Sequence, residues 1–302
     1  MFNYEDVKVQ FNGEGNYVPF DRVVYERNCN TLRENPDKEI VKLVYELRTS
    51  TAEQIRSIIS KKCDVKPGKV DERIKKLVAL RLITRYQFVF QNKGQVVKTA
   101  NMYLLDVNGK TWLEGEDMID VEWNQKDNLA AFGHPEVFFG RLITNELITK
   151  YFTNCSTFYS YEVKPRIKFD KNGEVGYVRP NAIVNFGKKE KQVHFLIYSL
   201  RKVDGWEDEF RKTIKYIEDL YRYFKPGKEL KQEPILTFIC ESDSHLKEAY
   251  TILEESEVPA TYTVYTTDKL IDENEPANSI AIVKRSDNGN IVIEYPELKQ
   301  LR

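Results

Sequence analysis

The sequence predicts a two-domain α/β chain, α+β overall, with a helical amino-terminal half and a carboxy-terminal half in which strands and helices alternate. Its 302 residues suit two domains, since one domain usually has about 100–200 residues. Hydrophobic residues are 41% of the chain, which supplies a core and excludes a wholly disordered protein. Near residue 82 the apolar spacing changes from three or four residues to two, as expected where helices give way to strands.

The sequence argues against several classes of protein. Its longest apolar runs, such as 235–240, are far shorter than the roughly 18 residues of a membrane helix, and the start MFNYEDVKV lacks the pattern of a secretory signal. The four cysteines include no Cys-x-x-Cys pair and there are only three histidines, so we expect neither disulfides nor a metal or other cofactor. We therefore expect a cytoplasmic protein that does not bind membranes.

Charge is distributed unevenly along the chain, although the formal net charge is only −1. Between Arg48 and Lys98 there are thirteen lysines and arginines against four acidic residues. Between Glu114 and Glu136 there are seven acidic residues and a single lysine. The global balance argues against a nucleic-acid binder, whereas the basic region can form a surface for phosphates. The order of helices and strands in the basic region distinguishes these two possibilities, a surface for nucleic acid or merely solvated charge.

The first 35 residues are interpreted as a hairpin or strap on the body of the protein. Residues 7–11 and 17–20 are apolar segments on either side of a Gly-containing loop, which predicts a hairpin. Pro19 would confine the second strand to the edge of a sheet. We therefore expect 1–35 to lie outside the domains.

Three helices are predicted between residues 37 and 80. Asp37 is expected to cap the first, Ser50 and Glu53 form a capping-box pattern at the second, and Pro67 begins the third, over 67–80. One face of each helix is apolar: Ile40, Val41, Val44 and Leu47 in the first, Ile55, Ile58 and Ile59 in the second, and Val70, Ile74, Leu77 and Val78 in the third. These faces are predicted to form one core.

A two-stranded hairpin is predicted after the helices. Residues 82–90 and 96–105 have strand spacing and are joined by the polar turn 91–95, and 109–113 would add a helical turn. Three helices followed by a basic hairpin is the order of a winged helix-turn-helix domain, here 36–120. In such a domain the third helix enters the major groove of double-stranded DNA and the hairpin contacts nearby phosphates.

Basic side chains on the third helix and the hairpin predict a DNA-binding surface. Arg73 is expected to contact a base edge, because a guanidinium can bond guanine bidentately. The residues expected at phosphates are Lys62, Lys66, Lys69, Lys76, Arg85 and Lys93. The alternative is a winged helix that contacts protein and whose lysines are only solvated.

The carboxy-terminal domain is predicted over 134–302, after a boundary near 120–133. A helix at 136–152 comes first, and apolar spacing predicts three strands at 156–169, 175–186 and 192–200. The elements predicted after these are a helix at 206–224, a strand at 235–240, a helix at 244–255, a strand at 262–265 and a hairpin of 280–284 with 291–295.

The resulting order, α-β-β-β-α-β followed by a further α-β, resembles the restriction-endonuclease-like core. The active form of that core places an Asp on the second strand and a Glu-x-Lys or similar acidic motif on the third. Clustered acids at these positions hold Mg²⁺ and stabilise charge during phosphodiester cleavage. The residues on these two strands therefore decide whether the domain is an enzyme.

A combination of short motifs resembles the replication-relaxation family of plasmid and mobile-element proteins. The motifs are ELRTSTAEQI and KLVALRLITRY in the predicted winged helix, and GHPEVFFGRL, YVRPNAIV and HFLIYSLRKV in the second domain. The resemblance covers roughly residues 36–255. It implies a DNA-binding protein that acts in transcription control, replication or DNA transfer.

The chain departs from that family at every expected acidic position. In the family the second strand reads Arg-Pro-Asp-Ala and the third carries Glu-x-Asp, whereas this chain has Asn181 on the second strand and Tyr198 and Leu200 on the third. An amide is a poor Mg²⁺ ligand beside a carboxylate, and Tyr and Leu supply no anionic oxygen at neutral pH. We therefore expect a degenerate nuclease fold without enzymatic activity, kept for contacts with other molecules.

Other polar residues of this domain are interpreted as structural. Glu146 and Glu162 could form a displaced metal site, but they are better explained as ordinary carboxylates at the surface or at a strand edge. His194 lies in a strand and is expected to be a packed or half-exposed side chain rather than a catalytic base.

The sequence thus favours a sequence-specific DNA-binding protein of a plasmid, phage or integrative element, either a transcription regulator or a replication or transfer accessory factor. A homodimer is expected, because winged helices commonly read paired half-sites. The helix at 206–224, with Tyr216 and Tyr223 predicted exposed, is a candidate for that interface or for another protein partner. Two alternatives remain open: an active Mg²⁺-dependent nuclease with non-standard ligands, and a protein-binding adaptor of a relaxosome or replisome.

Overall fold

The protein is described by a computed structural model over residues 7–11, 34–92, 95–115, 133–188, 191–227 and 230–297. It is a mixed α/β structure, α+β overall, as the sequence predicts. Backbone contacts divide it into a first unit, 1–145, and a second unit, 146–302. The division falls within the helix Pro135–Asn154, whereas sequence composition suggests a boundary at 120–133. It lies later because Phe138, near the start of this helix, joins the core of the first unit.

The described part of the first unit contains the three predicted helices and one more after its strands. Pro67 begins the third helix as predicted, because proline lacks only an N–H that the first helical turn does not use. The apolar residues predicted to face the core are buried, except Val78, which is half-buried. The helices are α1 (Glu39–Leu47), α2 (Ala52–Cys63), α3 (Pro67–Ala79) and α4 (Val107–Gly115).

The strands of the first unit form one sheet. They are β1 (Lys8–Phe11), β2 (Ser50–Thr51), β3 (Ile83–Asn92), β4 (Gln95–Lys98) and β5 (Met102–Leu105). Their order is β1-β3-β5-β2, and β4 also pairs with β3. The segment 8–11 therefore belongs to the sheet of this unit instead of a separate strap, while its predicted hairpin partner at 17–20 lies outside the described residues.

The predicted strand 96–105 is two strands, because Thr99 interrupts it. The Phe88 N–H donates to Thr99 Oγ1 at 3.0 Å, and the Thr99 N–H donates to the Phe88 carbonyl at 2.9 Å. A side-chain oxygen thus takes the place of a ladder bond, and pairing resumes only at Met102.

Two predicted helix caps are wrong. The capping box of α2 is formed by Thr51 and Gln54, one residue after the predicted Ser50 and Glu53, because Ser50 is a buried residue of β2 paired with Tyr103. The N-cap of α1 is Lys38 and not the predicted Asp37. The Asp37 carboxylate is completely buried and forms an ion pair with Arg73.

The second unit is built on a mixed five-stranded sheet of order β12-β11-β10-β9-β6, in which β10, β11 and β12 are parallel. A separate hairpin, β7–β8, stands between β6 and β9 in the chain. The strands are β6 (Phe158–Val163), β7 (Ile167–Lys171), β8 (Glu174–Val178), β9 (Ala182–Lys188), β10 (Lys191–Ser199), β11 (Ile235–Cys240), β12 (Thr263–Thr267), β13 (Ile282–Arg285) and β14 (Ile291–Glu294).

The β7–β8 hairpin arises because two predicted long strands are each interrupted by a proline. Pro165 separates β6 from β7 within 156–169, and Pro180 separates β8 from β9 within 175–186. Proline cannot donate to a ladder, so the chain leaves the central sheet at each of these positions. The predicted order α-β-β-β-α-β persists in the central sheet once this hairpin is set aside.

The helices of this part are α5 (Pro135–Asn154), α6 (Trp206–Arg222), α7 (Asp243–Glu254) and α8 (Asp268–Glu273). The apolar face of α6 is buried in the same core as β10 and β11, as its spacing predicts. Tyr216 is 59% exposed as predicted, but Tyr223 is half-buried, because α6 ends before it. Across the described part of the chain, no helix has the length and apolar character needed to cross a membrane.

His194 is a packed side chain of β10, as predicted, and its two nitrogens are both occupied. The Lys231 N–H donates to His194 Nε2 at 3.0 Å, so Nδ1 carries the proton and donates to Asn185 Oδ1 at 2.7 Å. Burial, and next the charge of Lys231, lowers the pKa of His194 below its ordinary value of 6.5. The folded protein therefore holds a neutral imidazole.

This arrangement predicts an acid-dependent loss of stability. As pH falls through about 6.5, the unfolded chain binds a proton at His194 more readily than the folded chain does, so the free energy of unfolding falls as the pH is lowered. His194→Gln should reduce this dependence in urea titrations, whatever its effect at pH 7. Part of it should remain, because burial also lowers the pKa of His245. Identical pH profiles for His194→Gln and wild type would contradict the assignment.

Candidate nucleic-acid interface and nuclease-like positions

The exposed face of α3 is basic. Lys66 precedes the helix, and Lys69, Glu72 and Lys75 lie exposed along it. Lys69 Nζ bonds Glu72 Oε2 at 2.7 Å, and this hydrogen bond lowers the pKa of the Glu72 carboxyl. Because the Lys69–Glu72 pair is open to solvent, it contributes little to stability, and its members are available for another partner.

Arg73 does not belong to this face, so its assignment as a base-reading residue is wrong. Its side chain is 7% exposed, and its guanidinium binds Asp37 bidentately, with Nε donating to Oδ1 at 2.6 Å and Nη2 donating to Oδ2. The hydrogen bond to Asp37 raises the pKa of Arg73 further. The spacing could have revealed this, since Arg73 lies three residues after Val70 and four before Leu77, within the buried stripe of α3.

The other predicted contact residues have different surroundings. Lys62 is exposed but pairs with Glu39 at 2.6 Å, and Lys76 and Arg85 are half-buried. Lys93 lies outside the described residues. Lys75, which the sequence interpretation missed, is exposed. Its distance from the apolar stripe of α3 was the available signal.

Because Arg73 is paired with Asp37 inside the protein, its substitution is expected to lower the stability of the fold and not the specificity for DNA. Arg73→Ala leaves the Asp37 carboxylate buried without its cation, and breaking a buried pair in this way costs about 3–5 kcal/mol. Urea unfolding should therefore show a loss of this size. In the double variant Arg73→Met with Asp37→Leu most of the loss should be recovered, since no buried charge remains. A loss below about 1 kcal/mol for Arg73→Ala would contradict the role assigned to the pair.

At the three positions where the sequence comparison expects the acids of a nuclease, the side chains make structural contacts. Asn181 Oδ1 accepts a hydrogen bond from the Ser199 N–H at 2.7 Å, and its backbone carbonyl accepts from the Lys164 N–H at 2.8 Å. Tyr198 is 5% exposed and packs 5.7 Å from the ring of Phe238, and burial raises the pKa of its hydroxyl. Leu200 packs against the same core. None of these side chains presents an anionic oxygen.

An arginine lies beside these positions. Arg201 is 8% exposed, and its guanidinium donates to Asp268 at 2.5 and 2.9 Å and to Ser199 Oγ at 2.9 and 3.1 Å. Ser199 is also the residue whose N–H bonds Asn181. A guanidinium paired with Asp268 therefore stands next to the segment where the sequence predicts the degenerate metal site.

The described acidic residues do not form a metal site. Glu162 is exposed on β6 and Glu146 is half-buried on α5. Over the described ranges there is no group of three or more His, Cys, Asp or Glu side chains that could hold a metal ion. The positions of Glu146 and Glu162 therefore do not support the displaced metal site that the sequence allows.

Restoring one acid is not expected to restore cleavage. Asn181→Asp keeps an oxygen that can accept from Ser199, but Tyr198 and Leu200 add no ligand, so an incoming Mg²⁺ would have one carboxylate only. Incubation of this variant with supercoiled DNA and Mg²⁺ or Mn²⁺ should leave the DNA intact, as for wild type. Nicking by Asn181→Asp, absent from an Asn181→Ala control, would contradict this reading.

Comparisons with known proteins leave the family open. No family model matches the chain, and no curated protein matches it. A solved structure described as the crystal structure of protein VC1899 from Vibrio cholerae is similar over 89% of this chain and 56% of its own, with 10% identity and a TM-score of 0.31. The chain thus spans just over half the length of that protein, and the TM-score is too low to support a conclusion about fold or function. Membership of the replication-relaxation family remains a prediction from the motifs.

Proposed function

We propose that the chain is a sequence-specific double-stranded DNA-binding protein whose α3 helix enters the major groove. The observation that carries this proposal is the exposed basic face formed by Lys66, Lys69 and Lys75. Lysines at phosphates release counterions from DNA, and the major groove, about 12 Å wide, admits one helix. Support also comes from the order of three helices followed by a two-stranded hairpin, which is that of a winged helix-turn-helix domain.

With Arg73 buried, we assign base reading to Lys69 and Glu72. Both lie in the first two turns of α3, the part of a recognition helix that contacts base edges. A lysine can bond O6 and N7 of guanine, and a carboxylate can accept from N4 of cytosine. Lys66 and Lys75 flank this pair and are assigned to phosphates.

The second unit is proposed to be a nuclease-like domain without catalytic activity that contacts a second copy of the chain or another protein. The absence of anionic oxygens at Asn181, Tyr198 and Leu200 supports this role. A homodimer would present two α3 helices to paired half-sites. The protein would then act in the cytoplasm on DNA of a mobile element, as a transcription regulator or as a replication or transfer accessory factor.

DNA binding is expected to depend steeply on salt. A footprint of about six phosphates gives a slope near −5 for log affinity against log salt. Lys66→Gln together with Lys75→Gln should weaken cognate and random duplexes about equally and reduce the slope by about two units. Lys247→Gln, at an exposed lysine of α7, is the matched control and should leave the slope unchanged. The cognate duplex is first selected from a random library.

The same titrations test base reading. Glu72→Gln removes a negative charge that faces the DNA, so it should not weaken random DNA, but it should reduce the preference for the cognate duplex at one base pair. Equal effects on cognate and random DNA would refute the assignment of Glu72. Failure to bind any duplex at about 0.15 M salt would refute the proposed function and favour the protein-binding adaptor.

A further inference from the structure

A cavity of about 570 Å³ opens in the second unit, between the β7–β8 hairpin, β10 and α6. Its volume falls within the range of about 300–1,000 Å³ that is usual for small-molecule sites. All residues that line it belong to one unit, so its shape depends on that unit alone. None of them was assigned a role in DNA binding.

The floor of the cavity is apolar and well ordered by packing. Phe169, Val178 and Tyr198 line it from the buried core. Gly176 faces Phe169 so closely that a Cβ atom at this position would lie 2.4 Å from the ring, so only glycine leaves the ring in place. The floor therefore consists of fixed aromatic and aliphatic surface.

Two tyrosines at the cavity provide rings for a planar ligand. Tyr216 on α6 is 59% exposed, and Tyr177 on β8 is half-buried. The guanidinium of Arg166 lies 3.7 Å from the centre of the Tyr177 ring and holds it by a cation–π contact. Among the described residues no cation lies over the ring of Tyr216, and an exposed aromatic ring at the mouth of a cavity favours stacking with a ligand.

The rim also carries an available positive charge. Lys171 is paired with Asp219 at 2.7 Å, so these two charges largely cancel. Arg179 also lines the cavity and is exposed, and within the described part of the chain no acidic side chain lies within ion-pair distance of it. A guanidinium of this kind binds phosphate through two parallel hydrogen bonds.

From these features we infer that the cavity binds a nucleoside monophosphate. The base enters between Tyr216 and the apolar floor, and the phosphate lies at Arg179. A ring and a phosphate on one small molecule match the two chemical features of the site, and the volume limits the occupant to a single nucleotide. The site is separate from the α3 surface, so this inference stands apart from the proposed function.

The test is a binding titration of the full chain. The probes are the adenosine, guanosine, cytidine and thymidine monophosphates, the four matching nucleosides and inorganic phosphate, each followed by calorimetry and by NMR saturation transfer to the ligand. At least one monophosphate should bind about tenfold more tightly than its nucleoside and than phosphate alone. Equal binding of phosphate and every monophosphate, or no binding of any probe, would overturn the inference.

Variants locate the site. Arg179→Gln should remove the advantage of the monophosphate over the nucleoside, and Tyr216→Ala should weaken both by about tenfold. Both side chains are exposed, so folding should persist, which thermal unfolding checks. The matched controls are Lys215→Gln, next to Tyr216 on α6, and Tyr159→Ala, at another exposed tyrosine, and neither should change binding.

Two further outcomes would also overturn the inference. Binding unaffected by Arg179→Gln and Tyr216→Ala would mean that the nucleotide lies elsewhere. A single-stranded oligonucleotide of ten residues that binds through the same two side chains, when no monophosphate does, would identify a surface for a nucleic-acid strand instead. Shifts of the tyrosine ring signals in the wild-type NMR spectrum provide a readout that does not depend on any variant.

Discussion

The first unit depends on one buried ion pair, between Asp37 and Arg73. A carboxylate removed from water is tolerated only beside a cation that satisfies it, so the turn before α1 and the middle of α3 are held together by the need to keep both charges paired. Val70, Ile74 and Leu77 lie around the same stripe and are buried with it. The rotation of α3 about its axis is thereby fixed, and the basic face that points to solvent is a consequence.

The spacing of apolar residues along the chain predicted most helices and strands, because burial of one face of an element sets that spacing directly. It failed where a single residue changed the backbone bonding, as at Thr99, Pro165 and Pro180. The prediction for Arg73 is wrong because an arginine is usually exposed, whereas the spacing of Arg73 places it within the apolar stripe of α3. The cavity beside Arg179 was beyond prediction, since it depends on how the β7–β8 hairpin, β10 and α6 pack together.

Each unit contains a buried arginine paired with an acidic side chain, and the two pairs have different structural roles. Arg73 fixes a helix whose other face stays exposed, whereas Arg201 joins the end of β10 to the start of α8 through its bonds to Ser199 and Asp268. A guanidinium donates several hydrogen bonds at once, so it connects these two elements without a metal. The second unit thus has a buried cation that is held by these structural contacts.

The helix Pro135–Asn154 has a consequence for how such a chain can be rearranged. Phe138 completes the aromatic cluster of Tyr86 and Phe88, while Tyr151, on the same helix, packs against Phe186 of the five-stranded sheet of the second unit. A gene fusion or truncation joined anywhere in 116–133 would leave Phe138 on the wrong fragment and expose the cluster. Recombination that exchanged either half for a foreign module would have to cut inside the helix, so the two halves are expected to be inherited as one piece.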